Sequence, residues 1–353
     1  MTALKLGSLF DGIGVFPLAA VHCGMEPVWA SEIEARPISI TRRHFPDMLH
    51  LGDITKISGA EIPPVDVITF GSPCQDLSQI GTRNGFAGKK SSLFYQAMRI
   101  IEEMRYATNG RYPAFCIWEN VAGAFSSNDR LDFAAMLSAF TGAEVSVPPR
   151  GWAHAGMVRG GRADTAWRLL DAQYWGEPAL VQRRKRVFVV ADFAGQRAGE
   201  VLFKPRTVLP FSAIGGPGGL SATAGSGVPA AQTGRQVPIV RPFSLRRMRT
   251  MAQVGDQKGF CASFGRGGEP FPTLLASVTA PFSFWYEGEE RDGFLRVLTP
   301  LECERLMGLP ENWTKYGCKN EEISDHARYR ALGNSIALPC AEYVMAGIAE
   351  VMN

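Results

Sequence analysis

Short runs of β-branched and large apolar residues alternate along this chain with stretches whose apolar positions recur at helical spacing. Leu4 to Phe10, Pro27 to Ser31, Val65 to Phe70, Phe115 to Trp118 and Val187 to Val190 are unbroken enough to predict buried strands. Between them, Val15 to His22 is apolar and Ala-rich, and Ser91 to Arg105 puts Leu93, Phe94, Ala97, Met98 and Ile101 on one helical face. Thr165 to Ala172 also reads as helix, and 142–165, rich in Gly, Pro and Arg, as an insertion loop. Strand, turn and helix in repetition predict an α/β fold with a doubly wound, mostly parallel sheet. Near the end, Thr299 and Pro300 supply the N-cap and first-turn proline of a helix that Gly308 and Pro310 stop. Leu332-Gly333-Asn334-Ser335-Ile336 opens a last apolar helix to Met352.

Several of these strands end in residues able to do chemistry. In open α/β sheets ligands bind at the carboxyl ends of the strands. The third long run leads into Gly71-Ser72-Pro73-Cys74-Gln75-Asp76-Leu77-Ser78, so a rigid turn presents one cysteine at that edge. Most free cysteines are small buried hydrophobes; a thiolate at a sheet edge is also a strong nucleophile toward an electron-poor carbon. The run Phe115 to Trp118 ends in Glu119-Asn120-Val121, where a buried carboxyl can hold a raised pKa and donate a proton, or merely cap a helix. The first strand ends in Asp11-Gly12-Ile13-Gly14, a turn that suits close approach of a ligand to bare backbone and equally suits any α/β protein. Glu32 after the second strand is placed for a ribose diol, and Asp53 for an adenine amine or for capping its own turn.

Charge adds local rather than global information. With 353 residues, 46% hydrophobic, 20% charged and a net charge of +3, the totals describe an ordinary globular protein and neither require nor oppose a polyanionic partner. The clusters are more telling. Gly81 to Lys90 is a glycine-rich loop carrying Arg83, Lys89 and Lys90, and Gln182-Arg183-Arg184-Lys185-Arg186 gathers four cations with no acid beside them in sequence. From 194 the composition shifts, with a Gly-rich linker at about 212–235, an Arg-studded segment from Arg241 to Arg249, and a second glycine loop around Arg266. The expected division is 1–193 plus 325–353 as the larger domain and 194–324, including helix 299–308, as a smaller irregular one. Seven cysteines at 23, 74, 116, 261, 303, 318 and 340 form no C-x-x-C, and the five histidines form no H-E-x-x-H, so neither structural metal nor a disulfide framework is expected. No leader peptide or membrane span is apparent, and a cytoplasmic setting follows as the expectation.

The motifs, taken in order, resemble the DNA (cytosine-5)-methyltransferases. The likeness rests on Phe10-Asp11-Gly12-Ile13-Gly14, Gly71-Ser72-Pro73-Cys74-Gln75, Glu119-Asn120-Val121, Gln182 to Arg186, Arg296 to Pro310 and Gly333-Asn334-Ser335. Gln173-Tyr174-Trp175-Gly176 looks like the versions carried by phages and prophages. The resemblance implies a class I, Rossmann-like fold that binds S-adenosylmethionine, acts on double-stranded DNA without a metal, and is bacterial or phage-encoded, with a cognate restriction endonuclease as a functional partner. It implies that Cys74 attacks cytosine C6, that Glu119 meets the ring, that Arg184 orients the base with support from Arg186, and that the target nucleotide flips out. Cofactor positions carried over are Phe10, Asp11, Gly12, Ile13, Gly14, Glu32, Ile33, Asp53, Ile54, Pro73, Leu93, Asn334 and Ser335. DNA contacts fall on Gln75, Ser78, Arg83, Lys89, Lys90, Thr273 and Arg266, the last as a guanine reader. Two departures stand out: Val181 replaces the usual Pro before the basic block, and Ile33 stands where an adenine-stacking aromatic is common. A tRNA cytosine-5 methyltransferase and a non-catalytic DNA-binding relative are the competing expectations.

Overall fold

A computed structural model describes residues 3–72, 93–204, 239–242, 271, 273–274, 282–286 and 293–353. Its main feature is an eight-stranded sheet: β1 (Lys5–Leu9), β2 (Glu26–Ser31), β3 (Leu49–His50), β4 (Val67–Phe70), β5 (Phe115–Val121), β6 (Ala155–Arg159), β7 (Asp164–Asp171) and β8 (Lys185–Asp192). The strand order is β3-β2-β1-β4-β5-β8-β7-β6. From β3 to β5 every pairing is parallel, whereas β5–β8, β8–β7 and β7–β6 are antiparallel. A separate antiparallel sheet joins β9 (Ile239–Pro242), β10 (Phe282–Tyr286) and β11 (Gly293–Val297) in the order β11-β10-β9.

Helices cover both faces of the large sheet. On one face α1 (Val15–His22), α2 (Ala35–His44), α5 (Ala198–Leu202), α6 (Pro300–Leu306), α7 (Asp325–Asn334) and α8 (Leu338–Met352) share a core with Leu6, Val67, Phe115, Ile117, Phe188 and Val190. On the other, α3 (Leu93–Ala107) and α4 (Leu131–Thr141) pack over Leu9, Ile68, Cys116, Trp118, Val187 and Val189. Burial on both faces explains why β4 and β5 read as continuous apolar runs rather than alternating ones. The capping box expected at Thr299 is present: its hydroxyl accepts from Glu302 N at 3.3 Å, and the Glu302 carboxylate accepts from Thr299 N at 2.8 Å.

Three sequence-based expectations are corrected. Thr165 to Ala172 is not helix; nearly all of it lies in β7, hydrogen-bonded on both sides to β6 and β8. Ala, Leu and Arg favour helix locally, but pairing on two edges overrides that weak preference. The period is two: Ala166 and Leu170 enter one core, Trp167 and Leu169 the other. The stretch 142–165 is not all loop, since it contains β6 and the start of β7. The last helix is two, because the chain breaks at 335–337 and restarts with Pro339 in the first turn of α8. The helix at 300–306 and residues 198–202 contribute Cys303, Leu306, Ala198, Val201 and Leu202 to the core shared with α1 and α8.

The turn after β1 depends on glycine. Gly14 has φ 77°, and a Cβ there would stand 2.9 Å from Thr41 Cγ2 and 3.0 Å from Phe45. Gly14→Ala therefore meets both a backbone and a packing penalty; we expect a loss of about 1–3 kcal/mol of unfolding free energy by denaturant titration, and an unchanged midpoint would contradict this geometry.

Candidate active site

Four strand ends meet at one edge of the large sheet. Because β1, β4 and β5 are parallel, their carboxyl ends emerge together. Because β8 runs antiparallel to β5, its beginning lies at that same edge, with Arg186 opposite Val121. The basic block Gln182 to Arg186 thus arrives where Glu119 leaves the sheet.

Glu119 is 9% exposed, and its Oε1 lies 3.0 Å from Arg186 Nε, close enough for an ion pair but not aligned as a hydrogen bond. Burial raises its carboxyl above the ordinary 4.5, while Arg186 and then Arg184 pull the other way. Of the four cations of the basic block, Arg186 does face an acid, but one supplied from a distant strand, Glu119; the Asp171 carboxylate accepts from the backbone Arg184 N at 3.0 Å.

The exit of β4 is fixed against the same strand. Gly71 is so close to Glu119 that a Cβ would stand 3.1 Å from its Oε2. Asn120 Nδ2 donates to the Ser72 carbonyl at 3.0 Å, and the Trp118 indole donates to the Ser72 hydroxyl at 3.1 Å. The chain is therefore tied to β5 two residues before Cys74. Cys74 itself, with Pro73, Gln75, Ser78, Arg83, Lys89, Lys90 and Arg266, lies outside the described residues.

Arg184 and Arg186 occupy different surroundings. Arg184 is 1% exposed and gives its guanidinium to three carbonyls: Nη1 to Leu274 O at 2.9 Å, and Nη2 to Gly333 O at 2.9 Å and to Ser335 O. Its Nε has no partner. Burial, and then repulsion from Arg186, pull its pKa down to about 9. The fork expected to hold a base is thus bonded to backbone, and the guanidinium beside Glu119 belongs to Arg186. Sequence alone did not single out Gln182, which is fully buried with neither amide atom bonded, nor Asp171. Gln182 did carry a signal: with Arg184 and Arg186 it is spaced by two, as on one face of an extended chain.

Several of the residues expected to hold S-adenosylmethionine lie in or against the neighbouring turn. Phe10 and Gly12 have φ of 54° and 59°, which turn the backbone sharply after β1. The Glu32 carboxylate accepts from Gly12 N at 2.9 Å, Ile33 N at 2.7 Å and Glu34 N at 3.0 Å, so it is held rigidly at the end of β2. Ile33 is 72% exposed, an apolar side chain standing free beside that carboxylate. Asp53 caps its own turn, accepting from Thr55 N at 3.0 Å and Thr55 Oγ1 at 2.8 Å, which lowers its pKa. Ile13 and Ile54 are core residues, Leu93 is half-buried at the start of α3, and Asn334 is exposed where α7 ends, next to Ser335. Both Asp11 carboxylate oxygens are buried without a hydrogen bond. An unpaired carboxylate, a fixed second carboxylate and an exposed apolar side chain fit a ligand that combines positive charge, a ribose and a flat base. Among the described residues no group of His, Cys, Asp and Glu is arranged to hold a metal.

The mixed eight-stranded sheet with helices on both faces has the fold of the class I S-adenosylmethionine-dependent methyltransferases. Residues 4–203 and 247–350 match the C-5 cytosine-specific DNA methylase family, and the chain belongs to that family of DNA cytosine methyltransferases. It is 24% identical to a protein of Escherichia phage P1 named DNA N-6-adenine-methyltransferase, over 98% of this chain and 61% of that one. It is 26% identical to type II methyltransferase M1.ScrFI of Lactococcus lactis subsp. cremoris, over 99% of this chain and 78% of the relative. The fold matches the crystal structure of a putative DNA modification methyltransferase encoded within an E. coli prophage, with a TM-score of 0.60 and 18% identity, covering 99% of this chain and all of that one.

Burial raises the Asp11 carboxyl from 3.8 to about 7; Glu32 adds to the rise and Ser8 opposes it, without a well-aligned bond between the Ser8 and Asp11 side chains. Between these two values the unfolded chain has lost the proton and the folded chain keeps it. Stability of the ligand-free protein should therefore fall as pH rises through this window, by up to about 4 kcal/mol from this group. Asp11→Asn should flatten that slope in denaturant titrations at stepped pH; the same slope in wild type and variant would contradict the assignment.

Proposed function

We propose that this chain methylates cytosine C5 in a specific double-stranded DNA sequence through a covalent adduct on Cys74, with the target base flipped out of the helix. The observation that carries the reading is the placement of Glu119 and Arg186 beside Gly71 and Ser72, at the point where the chain leads to Cys74. A cytosine held there would meet a proton donor, a guanidinium and a thiolate together.

The Cys74 thiolate attacks C6, and the ring electrons move to C5 while Glu119 delivers a proton to N3. Bound S-adenosylmethionine supplies the methyl group. With C5 methylated, water takes its remaining proton, that electron pair re-forms the C5=C6 double bond and expels the Cys74 sulfur as thiolate, and N3 returns its proton to Glu119. Arg186, beside Glu119, takes the role of contacting the base, and Arg184 the role of positioning. This exchanges the parts that the motif comparison alone gave them. Gln75, Ser78, Arg83, Lys89, Lys90, Thr273 and Arg266 are the proposed DNA contacts. The proposed division keeps 1–193 and 325–353 for catalysis and the region from 194 to 324 for recognition, with tighter bounds: residues 198–202 and 298–323 support the catalytic core through their packing. A cognate endonuclease in a bacterial or phage-infected cytoplasm completes the biological reading.

Bisulfite sequencing of DNA from cells expressing the chain tests the activity and reads the site, with tRNA from the same cells as the alternative substrate. Cys74→Ser should leave no detectable C5 methylation, and Glu119→Gln should slow single-turnover methylation by about 100-fold or more while duplex binding persists. Because Glu119 acts when protonated, the wild-type rate should fall as pH rises through its raised pKa, and Glu119→Gln should lack that limb. A Glu119→Gln enzyme with wild-type rate and pH profile would remove the carboxyl from the mechanism.

A further inference from the structure

Arg184 joins three pieces of chain that the reaction needs to coordinate. Its backbone continues into β8 and is held by Asp171. Its guanidinium bonds to Leu274, in the region assigned above to DNA recognition, and to Gly333 and Ser335, on either side of Asn334 in the segment assigned to the cofactor. The residues before it are stitched to the same recognition segment. Phe271 N donates to Val181 O at 2.7 Å, Arg183 N to Phe271 O at 2.7 Å, and the Thr273 hydroxyl to Arg183 O at 2.6 Å. Phe271 and Leu274 bury their side chains in the core of the large sheet, so the stitch is anchored.

We propose that Arg184 is a positioning residue that couples DNA recognition to cofactor binding, so that each ligand tightens the other through one buried guanidinium. This rests on the methyltransferase reading, but it goes beyond it by assigning a cause to cooperativity between the two sites. A guanidinium is a planar, rigid fork, so the carbonyls it bridges cannot move independently. Movement of Leu274 in the absence of DNA, or of Gly333 and Ser335 in the absence of cofactor, strains the same bonds. Leaving them unmade in a site 1% exposed strands a charge away from water. Binding that settles one segment therefore settles the other. Any such coupling is reciprocal: the factor by which cofactor improves DNA affinity equals the factor by which DNA improves cofactor affinity.

The test measures duplex affinity by fluorescence anisotropy with and without saturating S-adenosylhomocysteine, on a duplex carrying the sequence that bisulfite sequencing identifies. Wild type should bind the duplex at least tenfold tighter with the cofactor product present. Arg184→Lys keeps the charge but not the fork, and its coupling factor should drop at least fivefold. Thr273→Val cuts one stitch at a half-buried position and should lower the factor without lowering the melting temperature; it keeps the test decisive if Arg184→Lys fails to fold. A purely structural Arg184 would change stability and leave the factor intact. Coupling retained in both variants overturns the proposal. So does a wild type that binds the two ligands independently, although the methyltransferase reading would survive. A wild type that binds neither would remove both.

Discussion

The antiparallel pairing of β8 with β5 is the constraint on which the rest of the site depends. Parallel strands alone would bring Phe10, Ser72 and Glu119 to one edge and leave the start of β8 at the opposite one. Reversing the direction at β5 places Arg186 across from Val121 and within 3.0 Å of Glu119. The register matters as much as the direction. A shift of one residue would turn Arg186 to the other face of the sheet, toward Val187, Val189 and the helices α3 and α4.

That arrangement concentrates charge in a place poor in water. Glu119 and Arg184 are almost entirely buried and Arg186 nearly so, and desolvation displaces Glu119 and Arg184 from their usual behaviour. Burial raises the carboxyl and depresses the Arg184 guanidinium, as expected when the charged form loses solvent. Carbonyl oxygens from three separate residues compensate Arg184, whereas Glu119 Oε1, Arg184 Nε and the Gln182 amide remain without aligned partners. Unfilled hydrogen-bonding capacity in a buried site costs stability, and such costs cluster where a ligand is meant to supply the missing bonds.

Much of this was legible in the sequence, for identifiable reasons. Strands buried on both faces show as continuous apolar runs, so β1, β4, β5 and β8 stood out, and with them the strand ends that carry Asp11, Ser72 and Glu119. The capping box at Thr299 is a local device and was equally plain. What escaped was non-local. The segment 165–172 has helix-favouring residues, and only its two neighbours in the sheet make it a strand. The basic block looked unpaired because the acid that faces Arg186, Glu119, lies on another strand. Arg184 and Arg186 share a face by spacing, and no local signal says which one reaches the carboxyl. That depends on where the chain enters the sheet: Asp171 and Leu274 capture Arg184 before β8 begins, and Arg186 is carried one pleat further to Glu119.

The proposed reaction brings the Cys74 sulfur to a cytosine held by Glu119 and Arg186. Its most direct measurement is peptide mapping by mass spectrometry of the complex trapped on a duplex in which 5-fluorocytosine replaces the target base, with S-adenosylmethionine present. One methylated fluorocytosine adduct is expected, on the peptide carrying Cys74. An adduct on a peptide carrying any other cysteine, or efficient methylation of ordinary duplex with no adduct trapped, would contradict it.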